Sequence, residues 1–435
     1  MSVPTRRRRR YLCGATAAAA AVLALAACSP NGGGTSGQGP AAKALTGTPI
    51  KTMTIEALNC SSCLSLPAVA QTVTLFEKWI NSHGGIDGRP LQAEVCDDQG
   101  LPSGSAACAR KAAADGDVAV VGDFNLNDAA IVPVLAAEGI DDFADLDANV
   151  EAAASSPDVQ ALSAYVSAVY VKAIADGCKK IATLTVDLGS ATDAFETNSA
   201  KLAFQSMNAL SLWQASKVVY VPLSAQDLAP QLTQALSGGT DCLVNNMSPN
   251  SAQQVFSAYT SLGGKARIYG FVGTGIEAAG QEGFSKQTDG SIVYGPYSGF
   301  NTAPYAGFRA AIAQYNPPKN LVFNSSATQG AWAAFTGFVN LVKSMKGAVN
   351  ATTFKAAAQK ATVCTGGMLP CIDFAQSSVL GPDFRNWNDY QVTFFTVENG
   401  QDVPLNSGKF FDMQNTLTGA SLPAADVPPA TPLSS

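Results

Sequence analysis

Segments of strand character and segments of helix character alternate along most of this chain in two successive runs, and that alternation restricts the folds open to it. The first run reads as strand 51–58, helix 67–82, strand 91–96, helix 103–115, strand 118–122, helix 128–138 and strand 140–143. The second reads as helix 158–176, strand 180–186, helix 192–209, strand 217–221, helix 226–236, strand 242–247, helix 250–262 and strand 267–271. Strands joined through helices pair in parallel and carry helices on both faces of their sheet. Two such runs imply an α/β protein of two doubly wound, Rossmann-like lobes. Roughly 370 residues between the two chain ends are enough for two domains with substantial cores.

The ends read differently. Arg6 to Arg10 precede an apolar, alanine-rich stretch, Leu12 to Ala27, that is shorter than the ~20 residues a membrane-spanning helix needs. Leu25-Ala26-Ala27-Cys28 resembles a bacterial lipobox, and Arg8-Arg9-Arg10-Tyr11-Leu12 loosely resembles a twin-arginine export signal. Residues 1–27 are therefore expected to be a lipoprotein signal peptide, with Cys28 the lipidated residue. Each buried CH₂ of an acyl chain adds roughly 0.8 kcal/mol, and stable anchoring takes more than one chain. Residues 28–50, rich in Gly, Ser, Thr, Pro and Ala, are expected to form a flexible tether, and 422–435 a disordered tail. No later apolar run is long enough to span a bilayer. These features place the folded part on the outer face of the cell membrane.

Charge and motif content exclude several functions. The chain carries 27 Lys+Arg, five of them in Arg6–Arg10, against 33 Asp+Glu. Nucleic acid is not an expected partner, since phosphate neutralisation needs clustered Lys/Arg and none occurs after residue 10. His83 is the only histidine and sits in the turn Ser82-His83-Gly84, so a Ser-His-Asp triad or a histidine metal site would have to be built around a helix-terminal imidazole. The nucleophile-elbow, zincin and P-loop signatures are absent. Gly270 to Gly275 is glycine-rich but lacks dinucleotide-loop spacing, and the acidic group Asp141, Asp142, Asp145 and Asp147 reads more readily as a solvated loop than as a Ca²⁺ site. No enzyme activity, cofactor or metal is expected.

Residues 79–100, WINSHGGIDGRPLQAEVCDDQG, point to a function. An amphipathic helix stops at Gly84-Gly85, where glycines take the positive φ of a helix C-terminus. An Asp87-Gly88 turn follows, and Arg89-Pro90 opens a strand that runs out into Asp97-Asp98. This pattern resembles the first helix–strand junction of the extracytoplasmic solute-binding proteins of the branched-chain amino acid type, which have the type I periplasmic-binding fold and serve ABC transporters. Ala107 to Gly122, Gly177 to Leu184, Gly239 to Val244 and Gln329 to Lys346 resemble later elements of the same family. The resemblance implies two lobes joined by three crossing segments, here near 150–157, 297–304 and 374–383. Lobe one would be 51–153 plus 300–374, and lobe two 154–299 plus 375–421. A ligand would lie in the cleft between them, and cleft closure would present it to a membrane permease. The chain is expected to be a monomer.

In open α/β sheets ligands sit outside the carboxyl ends of the strands. The loops there supply the candidate contacts: Asn59, Ser61, Ser62, Phe124, Asn125, Leu126, Asn127 and Asp145 from lobe one, and Asp187, Leu188, Asn246, Met247, Val272 and Thr274 from lobe two. Asn127 and Asp128 could equally cap the helix that follows. The family's amino acid binders use serine and threonine in lobe one for the carboxylate and an acidic side chain after the last lobe-two strand for the ammonium. Here Asn125-Leu126-Asn127 stands at the first position and Val272 at or beside the second, with Glu277 several residues on. A valine leaves a buried ammonium unpaired at a high energetic cost, so the ligand could be an amide, an aromatic acid or a similar metabolite in place of an ordinary amino acid. A ligand sensor on the same fold is the alternative to uptake.

Beyond Cys13 and Cys28, eight cysteines remain, an even number that suits disulfides in an exported protein. Strand order 2-1-3 in the second lobe would put Cys178 beside Cys242. Cys96 with Cys108, Cys364 with Cys371, and Cys60 with Cys63 are local pairs. Cys60-Ser61-Ser62-Cys63 also has the strand-to-helix placement of thioredoxin-like redox motifs, but two large lobes and the lack of an aromatic before Cys60 argue for a loop staple.

Overall fold

The computed structural model describes residues 45–60, 63, 65–125, 127–145, 159–161, 167–187, 200–222, 224–247, 251–376, 378–379 and 388–429. Five strands form the first sheet: β1 (Ile50–Glu56), β2 (Leu91–Asp97), β3 (Ala119–Val121), β4 (Asp141–Asp145) and β5 (Val159–Ala161). They are parallel, in the order β2-β1-β3-β4-β5. β1 is interior and six of its seven residues are buried, whereas the edge strand β2 buries one residue fully and leaves others partly open.

The second sheet contains β6 (Ile181–Asp187), β7 (Lys217–Pro222), β8 (Cys242–Asn246), β9 (Arg267–Phe271) and β10 (Ile292–Gly295), parallel in the order β7-β6-β8-β9-β10. A short antiparallel pair, β11 (Thr362–Val363) and β12 (Ile372–Asp373), stands apart. The chain then returns to the second sheet, where β13 (Gln391–Glu398) lies antiparallel on β10, flanked by β14 (Gln401–Pro404) and the short β15 (Phe411–Asp412).

Helix Pro67–Ser82 shows how the first core is built. Pro67 starts it, where a missing N–H costs nothing, and Val69, Val73 and Phe76 recur at helical spacing on its buried face. That face meets helix Ser326–Ser344: Phe76 lies edge-on to Trp332 at 4.9 Å and 5.4 Å from Phe335. Trp332 in turn stacks on Phe308 at 4.6 Å, and Phe143 of β4 meets Phe354 at 5.2 Å. Residues 297–374 thus complete the core of the first sheet although the whole parallel part of the second, β6 to β10, intervenes in sequence. Burial of each such side chain is worth roughly 1.5–3 kcal/mol. The second sheet has a core on each face, one around Tyr170, Phe204 and Phe394 and the other around Val255, Phe256 and Tyr259.

Most expected elements are present within a few residues, and the helix Pro67–Ser82 ends as its glycines require, with Gly84 at φ +99° and Gly85 at φ +67°. Four boundaries need correction. Residues 159–161, expected to start a helix at 158, form β5 against β4, and the helix begins at Ala168. The first crossing, expected near 150–157, lies outside the described residues. The tether does not reach residue 50: Thr46 and Gly47 donate to the Gly88 carbonyl at 3.2 Å, Arg89 Nε donates to the Thr48 carbonyl, and Ile50 is buried in β1. Nor does order stop at 422, since Leu422 and Val427 are buried in the second core and Leu422 N–H donates to the Ser206 carbonyl at 2.9 Å. Finally, Asp141 and Asp142 are buried residues of β4 and belong to no solvated loop.

Among the described residues four disulfides are formed, Cys60–Cys63, Cys96–Cys108, Cys178–Cys242 and Cys364–Cys371. The third follows directly from the strand order: β8 lies next to β6 with Cys242 opposite Ile181, so Cys178, three residues earlier, comes within a Cα separation of 6.0 Å.

Candidate ligand site at the carboxyl ends of the strands

At the carboxyl edge of the first sheet, two adjacent aspartates organise the loops. Asp97 accepts from Leu58 N–H at 3.0 Å and from the Asn59 side-chain amide at 2.8 Å, which fixes the loop after β1. Buried Asp98 accepts from Gly100 N–H at 2.7 Å, from the Asn125 amide at 2.9 Å and from Ser105. Asn125 is itself buried, also donates to the Ile55 carbonyl, and accepts from Asn127 N–H at 2.8 Å. The Asn127 amide reaches Asp98 at 3.5 Å. Phe124 packs against the first core and its N–H donates to Glu56 at 2.8 Å. The asparagine amides of this edge are therefore spent on holding the loops, and Asn127 caps the helix Asp128–Glu138 with no side-chain hydrogen bond. Deeper in the edge, Asp123 is fully buried beside Asp142, and burial pushes its carboxyl up to about 6 against the hydrogen bond the two share.

The second sheet contributes Asp187, exposed at the end of β6, and Asn246, half-buried at the end of β8. Met247 and Val272 lie in the apolar core behind that edge. Thr274 Oγ1 donates to the Phe271 carbonyl at 2.9 Å, closing the turn after β9. Ser61, Ser62, Leu126, Leu188 and Cys28 lie outside the described residues, as does the side chain of Asp145.

Two features here were not expected from the sequence. Glu277, buried below the β9 turn, accepts from Gly273 N–H at 3.3 Å and faces Asp402 of β14. Two carboxyls can hydrogen-bond to one another only if they share a proton, and burial lifts both, Glu277 to about 7 and Asp402 well above the ordinary carboxylate range. The second feature is a contact between the lobes. Helix Ser326–Ser344, packed on the first sheet, begins against the β9 turn, where Ser326 N–H donates to the Val272 carbonyl at 3.0 Å. A Cβ on Gly273, which has φ +95°, would stand 2.6 Å from Ser325 Cβ. Neither pairing carries a local signal, because the partners are far apart in sequence.

The acid pair gives a pH prediction. Unfolded, Glu277 ionises near the ordinary carboxylate range; folded, it keeps its proton up to about pH 7. The stability it contributes is therefore complete below about pH 4 and is lost as pH rises through 7. Glutamine has the same shape, accepts from Gly273 and can donate to Asp402. Glu277→Gln is expected to be more stable than the parent at pH 8 by about 1–2 kcal/mol and to have no advantage at pH 4. Urea unfolding at the two pH values checks this, and an equal offset at both would remove the shared proton.

His83 is exposed, lies tilted against the Trp79 ring at 3.9 Å and bonds the Trp79 carbonyl, an ordinary helix end. Among the described residues one group of three potential metal ligands converges, Cys178, Asp241 and Cys242, but its cysteines are tied in a disulfide. Cys60–Cys63 staples the loop after β1 against Gly100, whose added Cβ would fall 2.6 Å from Cys63 Sγ. No helix among the described residues is long and apolar enough to cross a membrane.

Two α/β lobes, each built on a mainly parallel sheet and touching where Ser326 meets the turn after β9, define a class of fold. The model of the periplasmic binding protein family matches residues 61–400, and the chain belongs to that family. Its members are extracytoplasmic solute-binding proteins, not enzymes; they bind small molecules and work with ABC transporters. The chain matches no curated protein sequence. Among solved structures it is similar to a possible leucine/isoleucine/valine-binding protein from Rhodopirellula baltica, with TM-score 0.67 and 14% identity over 85% of this chain and 99% of that one. It is similar to a fatty acid ABC transporter substrate-binding protein from Thermomonospora curvata, with TM-score 0.65 and 13% identity over 87% of this chain and 96% of that one. It is also similar to an ABC transporter solute-binding protein from R. palustris in complex with benzoate, with TM-score 0.62 and 17% identity over 82% of this chain and 96% of that one. At these identities the likeness extends to the fold alone.

Proposed function

We propose that this protein is the solute-binding component of an ABC importer, anchored through lipid on Cys28, acting as a monomer, and that its ligand is a small carboxylic acid or amide without an α-ammonium group. The observation that carries the ligand class is the end of β9. Val272 is buried in the lobe core there, and the next acid in sequence, Glu277, is engaged with Gly273 and Asp402 beneath the turn. Among the described residues of this turn an ammonium would meet no carboxylate free to pair with it, and desolvating it unpaired is costly. Relatives of the same fold described as binding benzoate or as serving fatty acid transport are in keeping with this class.

Binding would proceed by closure of one lobe on the other, driven only by contacts the ligand makes in the closed form and not in the open one. The hydrogen bond from Ser326 to Val272 is one contact between lobes that closure would use. Thermal-shift screening against amino acids, amides, aromatic acids, fatty acids, nucleobases and sugars tests the reading. At least one acid or amide should raise Tm with saturable dose dependence. Failure across all of these classes would count against uptake.

A further inference from the structure

The acid pair beneath the β9 turn ties together three parts of the molecule. Asp402 is placed by the hairpin of β13 and β14, whose turn residues Asn399 and Gly400 have φ +51° and +71°. Asn-Gly with positive φ at both positions is a two-residue connection that holds its strands in one register. This hairpin lies directly on the helical segment that carries Glu277. A Cβ on Gly400 would stand 2.6 Å from the Glu277 carbonyl oxygen and 2.7 Å from Gln281 N, and Gln281 Nε2 donates to the Gly400 carbonyl at 2.8 Å. Glu277 Oε1 in turn accepts from Gly273 N–H at 3.3 Å, and Gly273 is the residue packed on Ser325 of the opposing lobe. On the other side, Gln401, next to Asp402, accepts from the Asn301 amide at 3.0 Å. Asn301 lies between β10 and the helix Ala306–Tyr315, whose Phe308 and Ala311 belong to the first core.

We propose that Glu277 and Asp402 form a proton-operated latch between the lobes, holding the β9 turn against Ser325 and Ser326 while they share a proton and freeing it when the proton leaves. With the proton in place, one carboxyl donates to the other while Glu277 goes on accepting from Gly273. Once the proton has gone to solvent, two negative charges face each other in a buried site, and their repulsion drives Glu277 off Asp402. Gly273 N–H then loses its acceptor, and the turn that offers the Val272 carbonyl to Ser326 loses its brace. The consequence for ligand rests on the proposed closure of the cleft: a bound molecule is held below about pH 7 and released more readily above it. The latch itself belongs to the ligand-free chain.

Burial is the main cause that keeps the proton on each carboxyl. The charged side chains on the elements around the pair stand away from it. Glu282, Lys286, Asp289 and Glu398 are exposed, Arg267 is at the amino end of β9, and helix Ala252–Ser261 and β10 carry none. Asp289 is engaged by Asn399 N–H at 2.7 Å. The pH at which the latch opens is therefore set by burial and by the pair itself.

Two measurements on the ligand-free protein, between about pH 5.5 and about pH 8.5, test the latch across the range in which Glu277 titrates. In NMR titration the amide protons of Gly273 and Ser326 are expected to move upfield together, with a shared midpoint near pH 7, as both lose their hydrogen bonds. Ile50 N–H, bonded to Pro90 in the first sheet, should not follow. In small-angle scattering the radius of gyration should rise over the same range by on the order of 1 Å as the lobes part. Glu277→Gln and Asp402→Asn each leave one carboxyl with a neutral partner that donates to it, so both should abolish the titration and the expansion. A Gly273 shift without one at Ser326, a radius of gyration constant with pH, or an expansion that persists in both variants would overturn the proposal. None of these results depends on which molecule the cleft takes, so failure of the latch and failure of the uptake reading are told apart.

Discussion

Replacing Cys178 and Cys242 together by alanine is expected to cost about 4 kcal/mol of stability. The bridge joins residues 64 apart in sequence, and freeing so long a loop returns much conformational entropy to the unfolded chain. Both cysteines are buried in the second core, so alanine leaves no unpaired hydroxyl behind. Cys364–Cys371, with a separation of seven, serves as the internal comparison: its removal should cost about 2 kcal/mol. Urea unfolding of the two double variants measures the difference. Equal losses would show that loop length does not set the contribution of these bridges. Both figures leave a marginally stable fold, since domains of this kind have only ~5–15 kcal/mol in hand.

Gly273→Ala is expected to weaken ligand binding by about 10- to 100-fold while the protein stays folded. A residue with a side chain at φ +95° is strained, and its Cβ would stand 2.6 Å from Ser325 Cβ on the opposing lobe. The lobes would have to part, which removes the bond from Ser326 to Val272 and favours the open form. Gly84→Ala separates strain from collision. Gly84 has φ +99°, but an added Cβ there meets nothing within 4 Å. It should lose about 1 kcal/mol of stability and keep full affinity for whichever ligand the thermal-shift screen identifies. If both variants bind equally well, the contact between lobes has no part in closure.

Parts of this arrangement follow from local pattern and parts do not. The alternation up to residue 271 is legible because each parallel strand is a short apolar run set off by glycines and helices, and the positions of Gly84 and Gly85 follow from one helix end. The Cys178–Cys242 pair was accessible because strand order alone brings those residues together. β5 is not legible in the sequence, since three residues, Val159 to Ala161, carry too little periodicity to stand out from a helix. At the carboxyl edge of the first sheet the loops follow the strands as the alternation predicts, but the bonding of their asparagines is not legible in the sequence. Asn125 could be a ligand donor or a scaffold residue until Asp98, 27 positions earlier, is seen to take its amide. The Glu277–Asp402 pair depends on β14 lying beside the β9 turn, an antiparallel addition that breaks the alternation.

The ligand class is tested most directly by calorimetric titration with matched pairs, 4-methylpentanoate against leucine and 3-phenylpropanoate against phenylalanine. Each pair differs only in the α-amino group, so the comparison reads the end of β9 and nothing else. The acid of at least one pair should bind more tightly than its amino acid by tenfold or more. Tighter binding of leucine or phenylalanine than of the matched acid would contradict the account.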